Sequence, residues 1–216
     1  MTYTGAVTPG GPAATRDLGA LRITKLSVGP MDNNAYLLRD TATGEQLLID
    51  AANDPERLID LIDDGGLSTV VTTHRHGDHW QGLAAVVSAT GARSVAHAAD
   101  ATELPVVHDT VADGGTVQVG QSTLDVIHLV GHTPGSIALV YRDSDGVPHL
   151  FTGDSLFPGG PGRTTNPTDF ASLMNDLEEK VFGRLPDETW FYPGHGNDST
   201  LGAERPAIPE WRARGW

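Results

Sequence analysis

Short apolar runs separated by turn residues dominate the chain. Residues 21–28 (LRITKLSV), 34–40 (NAYLLRD) and 46–50 (QLLID) have the make-up of strands, and DTATG between the last two is a turn. Residues 55–64 (PERLIDLIDD) open on Pro55 and place Leu58, Ile59, Leu61 and Ile62 at helical spacing, which predicts a helix. STVVTT at 68–73 predicts a buried strand, QGLAAVVSAT at 81–90 a helix closed by Gly91, and RSVAH at 93–97 another strand. Between 107 and 153 the strand-like runs TVQVG, STLDVIHLV, SIALVYR and VPHLFTG alternate with glycine turns. In 167–182, Phe170, Leu173, Met174, Leu177 and Val181 recur on one helical face. TWFYP at 189–193 predicts a last strand before a short C-terminal tail, and the Gly-, Pro-, Thr- and Ala-rich residues 1–20 an irregular lead-in. Helices interspersed among many strands, several joined by tight turns, predict an α/β protein with mixed sheets. No linker or repeat divides residues 21–216, which are expected to form a single domain.

Composition narrows the functions open to such a fold. Hydrophobic residues make up 38 % of the 216 and charged residues 19 %, as in a soluble globular chain. Lys and Arg total 14 against 28 Asp and Glu, a net charge of −14 that disfavours nucleic acid and anionic membrane surfaces as partners. There is no cysteine, which excludes disulfides, thiolate metal ligands and a cysteine nucleophile. The N-terminus lacks a basic segment followed by an apolar core, and a cytoplasmic location is expected.

Three of the 9 histidines fall in TTHRHGDHW at 72–80, at the end of a predicted strand. Imidazole is the commonest metal-binding side chain, and clustered imidazoles repel once protonated unless they share a cation. Residues two apart in an extended loop point the same way, so His74 and His76 can converge on one ion while Asp78 and His79 face another. One loop does not complete a two-ion site. Further donors follow in three other loops after predicted strands: His132 in GHTPGS, Asp154 in FTGDSLF and His195 in YPGHGNDST.

THRHGDH, GHTPG, GDSLF and PGHG occur in the order found in the metallo-β-lactamase superfamily, and the chain resembles its glyoxalase II (hydroxyacylglutathione hydrolase) branch. The resemblance covers about residues 70–200, with LLIDAAN upstream matching a strand–Asp element. It implies a four-layered αββα sandwich of two mixed β-sheets with the site at one edge. It implies His74, His76 and His132 on one divalent ion, Asp78, His79 and His195 on a second, Asp154 bridging both, and Asp50 behind the ligands. Zinc is the first expectation, with iron and manganese also suited to the donors. The implied reaction is hydrolysis of a small-molecule thioester by a hydroxide shared between the ions, with Asp78 and Asp154 as catalytic carboxylates. With 21 residues after His195, the chain resembles the short type of glyoxalase II, without the helical C-terminal domain that holds glutathione.

The rival within the same family is a persulfide dioxygenase with one Fe(II) on His74, His132 and Asp154; the rival from another class is a metal-binding protein without catalysis. Asn34 and Tyr36 match a family position near the metal rim, although Tyr36 also reads as a core residue, and Arg163 sits where the family contacts a substrate carboxylate. Phe157 is a further candidate beside them. His97, His108, His128 and His149 lie outside the motifs and are expected to be ordinary structural residues.

Overall fold

A computed structural model describes residues 3–215. The first sheet runs in the order β1 (Ala14–Asp17), β2 (Leu21–Val28), β3 (Asn33–Asp40), β4 (Gln46–Ile49), β5 (Leu67–Val71), β6 (Arg93–His97) and β7 (Asp109–Val111). Its first four strands are antiparallel and its last four parallel. The second sheet uses β8 (Thr116–Val119), β9 (Ser122–His128), β10 (Ile137–Arg142), β11 (Pro148–Gly153), β14 (Trp190–Pro193) and β15 (Ser199–Thr200), in the order β15-β14-β11-β10-β9-β8. A short hairpin between these, β12 (Leu156–Phe157) and β13 (Gly160–Pro161), stands apart. The helices are α1 (Pro55–Ile59), α2 (Leu83–Thr90), α3 (Pro167–Asp176), α4 (Leu201–Glu204) and α5 (Ile208–Arg214). Among the described residues no helix is long and apolar enough to cross a membrane.

The continuous apolar runs explain the layering. Side chains alternate between the faces of a strand, so a run that is apolar at every position needs cover on both sides. In β3, Tyr36 and Leu38 enter the core between the sheets, whereas Ala35 and Leu37 enter the layer under α1 and α2. In β10, Ile137, Leu139 and Tyr141 meet the same central core, and Ala138 and Val140 pack beneath α3, Leu201 and Trp211. Two sheets facing each other with helices on both outer faces make the four-layered αββα sandwich.

Three segments differ from the sequence-based expectation. The helix expected over 55–64 stops at Ile59, and Leu61 and Ile62 continue it only as tight three-residue turns. Asp63 ends it by accepting from the Gly65 N–H at 2.9 Å, Gln46 Nε2 at 2.8 Å and Arg39 Nε at 2.7 Å, which pulls the chain back to the sheet. Residues 14–17, placed in an irregular lead-in, form β1 because they pair with β2 from Ala14↔Lys25 to Asp17↔Arg22. The supposed C-terminal tail carries α4 and α5, whose Leu201 and Trp211 are buried against the outer face of the second sheet.

His149 lies buried on β11, its Nδ1 3.0 Å from the Tyr192 hydroxyl. Burial, helped by the Arg16 charge and opposed by Asp143, holds its pKa down at about 4, against roughly 6.5 in an unfolded chain. The unfolded state therefore binds a proton that the folded state resists. The stability this represents is present above pH ~6.5 and lost as pH falls toward the folded value, up to about 3 kcal/mol. Urea midpoints measured on the wild type should drop between pH 7 and pH 5. His149→Gln, which cannot titrate, should flatten that drop; an equal slope in both would remove His149 as a contributor.

Candidate metal centre

Strands β4, β5 and β6 are parallel, as are β11 and β14, and β9 runs the same way as β11 through two antiparallel steps. The loops leaving their C-terminal ends meet at one edge of the sandwich. They carry Asp50 after β4, His74 to His79 after β5, His132 after β9, Asp154 after β11 and His195 after β14.

The donor atoms interlock in three groups: His74, His76 and His132; His74, His79 and Asp154; and Asp78, His79 and His195. His76 Nδ1 is 2.9 Å from His132 Nε2, and His132 Nε2 is 3.3 Å from His74 Nε2. His79 Nε2 is 3.3 Å from His195 Nε2 and 3.5 Å from Asp78 Oδ2. Two nitrogens bound to one tetrahedral ion at ~2.0–2.1 Å stand about 3.4 Å apart, so these spacings suit a shared cation. Asp154 sits between the groups, Oδ1 3.3 Å from His79 Nε2, and Oδ2 3.5 Å from His195 Nε2 and 3.7 Å from His132 Nε2. Its Oδ1 is buried with no hydrogen-bond partner. A buried carboxylate oxygen normally has a partner, and a divalent ion is what this set of imidazoles and carboxylates would take.

Four of the five rings are pinned from behind, leaving Nε2 for the centre. The outer nitrogen, Nδ1, meets Thr73 Oγ1 at 3.0 Å in His74, Asp50 Oδ2 at 2.8 Å in His79, the Arg163 carbonyl at 2.6 Å in His132 and the Met31 carbonyl at 3.0 Å in His195. Such outer bonds fix ring orientation and tautomer. Asp50 thus stands behind His79, and also accepts from the Thr73 N–H and hydroxyl.

The electrostatics follow from the packing. Burial lowers His74 well below the usual imidazole value, and the charge on nearby His79 lowers it further. Burial would lower His79 too, but the carboxylates of Asp154 and Asp50 raise it to about 10. Burial works against ionisation of Asp154, yet His79 and His195 hold its carboxyl well below the usual range. The centre is therefore half-buried, with His74 and His79 covered and His76 exposed, and its ionised Asp154 favours positive charge there.

Two residues expected at the rim are elsewhere. Asn34 and Tyr36 are both buried; Tyr36 donates its hydroxyl to the Pro193 carbonyl at 2.6 Å, and Asn34 Nδ2 donates to the Pro193 and Gly196 carbonyls, each at 2.9 Å. Both brace the loop carrying His195 instead of facing a substrate. Buried Lys25 joins them, donating to the Gly196 carbonyl at 2.7 Å and pairing with Asp198 at 2.6 Å. The neighbouring Asn33, passed over in the sequence, is the one at the centre: its Nδ2 donates to Asp78 Oδ2 at 2.9 Å and lies 3.3 Å from His195 Nε2. The Asn-Asn pair was the available signal, and strand alternation decides which member points in. Arg163 lines a cleft of about 260 Å³ with His76, His132, Thr164 and Thr165. Phe157 stands with its ring 6.3 Å from that of His195. His97, His108, His128 and His149 belong to none of the three donor groups.

Residues 28–195 match the Metallo-beta-lactamase superfamily. A hydroxyacylglutathione hydrolase of Cereibacter sphaeroides is 40% identical over 165 residues, which make up 76% of this chain and 62% of that protein. The chain thus spans less than two thirds of the length of the curated relatives it matches. Among solved structures, ETHE1 from Myxococcus xanthus is 31% identical, with a TM-score of 0.76 over 87% of this chain and 83% of that one. TTHA1623 in a di-iron-bound form is 29% identical, with a TM-score of 0.70 over 84% and 96% respectively. By its fold, its four histidine- and aspartate-bearing loops and this match along most of its length, the chain belongs to the metallo-β-lactamase superfamily.

Proposed function

We propose that the protein is a metal-dependent hydrolase of thioesters with a two-ion centre: His74, His76 and His132 hold one ion, Asp78, His79 and His195 the other, and Asp154 is shared. The carrying observation is Asp154 itself, set between two trios, its buried Oδ1 accepting no hydrogen bond and facing His79 Nε2 at 3.3 Å. Likeness to hydroxyacylglutathione hydrolases supports the choice of a thioester. Divalent ions, zinc first among them, would lower the pKa of a water from ~15.7 toward about 7 and oppose the charge that develops on the carbonyl oxygen.

The chain's own residues supply the remainder. On this reading Asp78 and Asp154, whose Oδ2 atoms lie 3.3 and 3.5 Å from His195 Nε2, would accept the proton of an attacking water. Asn33 keeps Asp78 turned inward. A thiolate leaves as a stable anion, so little is asked of a general acid. Arg163 provides a cation at the cleft beside His76 and His132 for a carboxylate on the thiol carrier. That contact lies away from the reacting carbonyl and should serve ground and transition states alike. Arg163→Ala is expected to raise KM about tenfold with kcat and metal content unchanged. An unaltered KM for every active anionic thioester would make Arg163 a surface charge.

A second reading, a mononuclear Fe(II) persulfide dioxygenase, draws on the subset His74, His132 and Asp154, in which His132 Nε2 lies 3.3 Å from His74 Nε2 and 3.7 Å from Asp154 Oδ2. Elemental analysis of the purified protein, with thioester hydrolysis assayed under nitrogen, separates the two. Two ions per chain and turnover without oxygen are expected. One iron, oxygen-dependent loss of glutathione persulfide and no thioesterase activity would overturn the hydrolase reading.

A further inference from the structure

Asp100 follows β6 and is buried, with 1 % of its surface exposed. Its Oδ2 accepts the Arg75 backbone N–H at 3.0 Å and the Thr133 hydroxyl, and its Oδ1 accepts the Gly135 N–H at 2.8 Å. Arg75 stands between His74 and His76, and Thr133 directly follows His132. One carboxylate therefore grips the backbone of one ligand loop and both ends of the turn beyond His132. The fit is close, since a methyl on Gly135 would meet Asp100 Cγ at 2.7 Å. Below the same turn, the His97 and His128 rings stack at 3.9 Å, and His128 Nε2 lies 2.8 Å from the Pro134 carbonyl.

We propose that Asp100 is a positioning residue for the metal centre: by tying the His74–His76 loop to the His132 turn, it sets the affinity of that one donor group. The two loops come from different sheets, β5 in the first and β9 in the second, so neither sheet's own pairing fixes the gap between them. One backbone bond, Ile137 N–H to the Thr73 carbonyl at 2.9 Å, ties the sheets nearby, but it reaches neither residue 75 nor residues 132–135. Asp100 bridges that gap. His76 Nδ1 and His132 Nε2 face each other at 2.9 Å, close enough that a small relative shift of the loops alters their convergence. The other group is braced differently, through Asp50 behind His79, the Met31 carbonyl behind His195 and Asn33 beside Asp78. Asp100 should therefore act on one group and not the other.

The inference rests on the two-ion reading above, and Co²⁺ titration of the metal-stripped full chain tests both. Asp100→Asn keeps the volume but has one acceptor oxygen in place of two, so it must turn an NH₂ toward either Gly135 N–H or Arg75 N–H. Thr133→Val keeps the carboxylate and cuts only the hydroxyl link, which makes it the independent variant should Asp100→Asn fail to fold. Each should weaken one of two Co²⁺ affinities by about 10–100-fold, the range for partners that orient metal ligands. The other affinity should stay near wild type in both, as should the melting of metal-free Thr133→Val, and Thr133→Ser should restore the weakened step. A merely structural role would lower both affinities together with the metal-free melting temperature, and that result overturns the proposal, as do two unchanged affinities. A wild-type chain that takes up no Co²⁺ overturns the metal reading and this inference with it.

Discussion

Asp154→Ala should leave the protein with at most one ion per chain and cut the proposed thioester hydrolysis by about 10³-fold or more, because groups that act as a unit lose most of their effect when one is removed. The expectation rests on position. Asp154 reaches toward both trios, 3.3 Å from His79 Nε2 through Oδ1 and 3.7 Å from His132 Nε2 through Oδ2. Its removal leaves the buried His79 with Asp50 as its close carboxylate, at 2.8 Å, while six donors remain. Asp154→Asn separates charge from packing: it preserves the volume and one acceptor oxygen, so an equal loss of metal in both variants would assign the effect to the missing charge. Elemental analysis and kcat/KM on one thioester check the expectation. A variant that keeps two ions and turns over normally would remove Asp154 as the shared ligand and leave the centre without its connecting residue.

That prediction could be framed from the sequence because metal ligation needs particular residue types at loop positions after strands, and residue type is what a sequence shows directly. The gathering of His74, His76, Asp78, His79, His132, Asp154 and His195 at one edge was legible for this reason, and so was the layering, because runs such as SIALVYR are apolar at consecutive positions and need cover on both faces. Features that depend on pairing across the fold were not legible. β1 has no apolar pattern and exists because β2 is beside it. α4 and α5 span 4 and 7 residues, too short for helical periodicity to register. The roles of Asn33 and Asn34 turn on a single step of strand alternation: the first meets Asp78 and the second the Pro193 carbonyl. Asp100 lies 25 and 35 residues from the backbone groups it holds, and AAD at 98–100 carries no local mark of that task.

Gly194→Ala is expected to be almost as damaging as loss of a ligand, although it adds one methyl group and changes no charge. That methyl would stand 2.1 Å from Asp154 Oδ1 and 2.7 Å from His79 Cε1, with the Gly153 carbonyl carbon at 3.2 Å. The backbone has little freedom to retreat: the Gly194 N–H donates to Gly153 O at 2.8 Å, and Gly194 O accepts from the Asn34 N–H at 2.7 Å. Tyr36 and Asn34 hold the preceding carbonyl as well. The strain must then fall on the buried His79 and on Asp154, whose side chain is 11 % exposed. Overpacking of this kind costs about 1–3 kcal/mol of stability, and displacing a reacting group by about 1 Å can cost 10²-fold in rate. A loss of about 100-fold or more in kcat/KM is therefore expected, together with reduced metal content. Gly196→Ala is the matched control two residues away. Its backbone has φ +68° but no heavy atom lies within 4 Å of the added carbon, so it should cost roughly 1 kcal/mol in backbone strain and keep its metal. Full metal content and activity in Gly194→Ala would show that the loop can move aside, and that close approach at this glycine is not what holds Asp154 and His79 together.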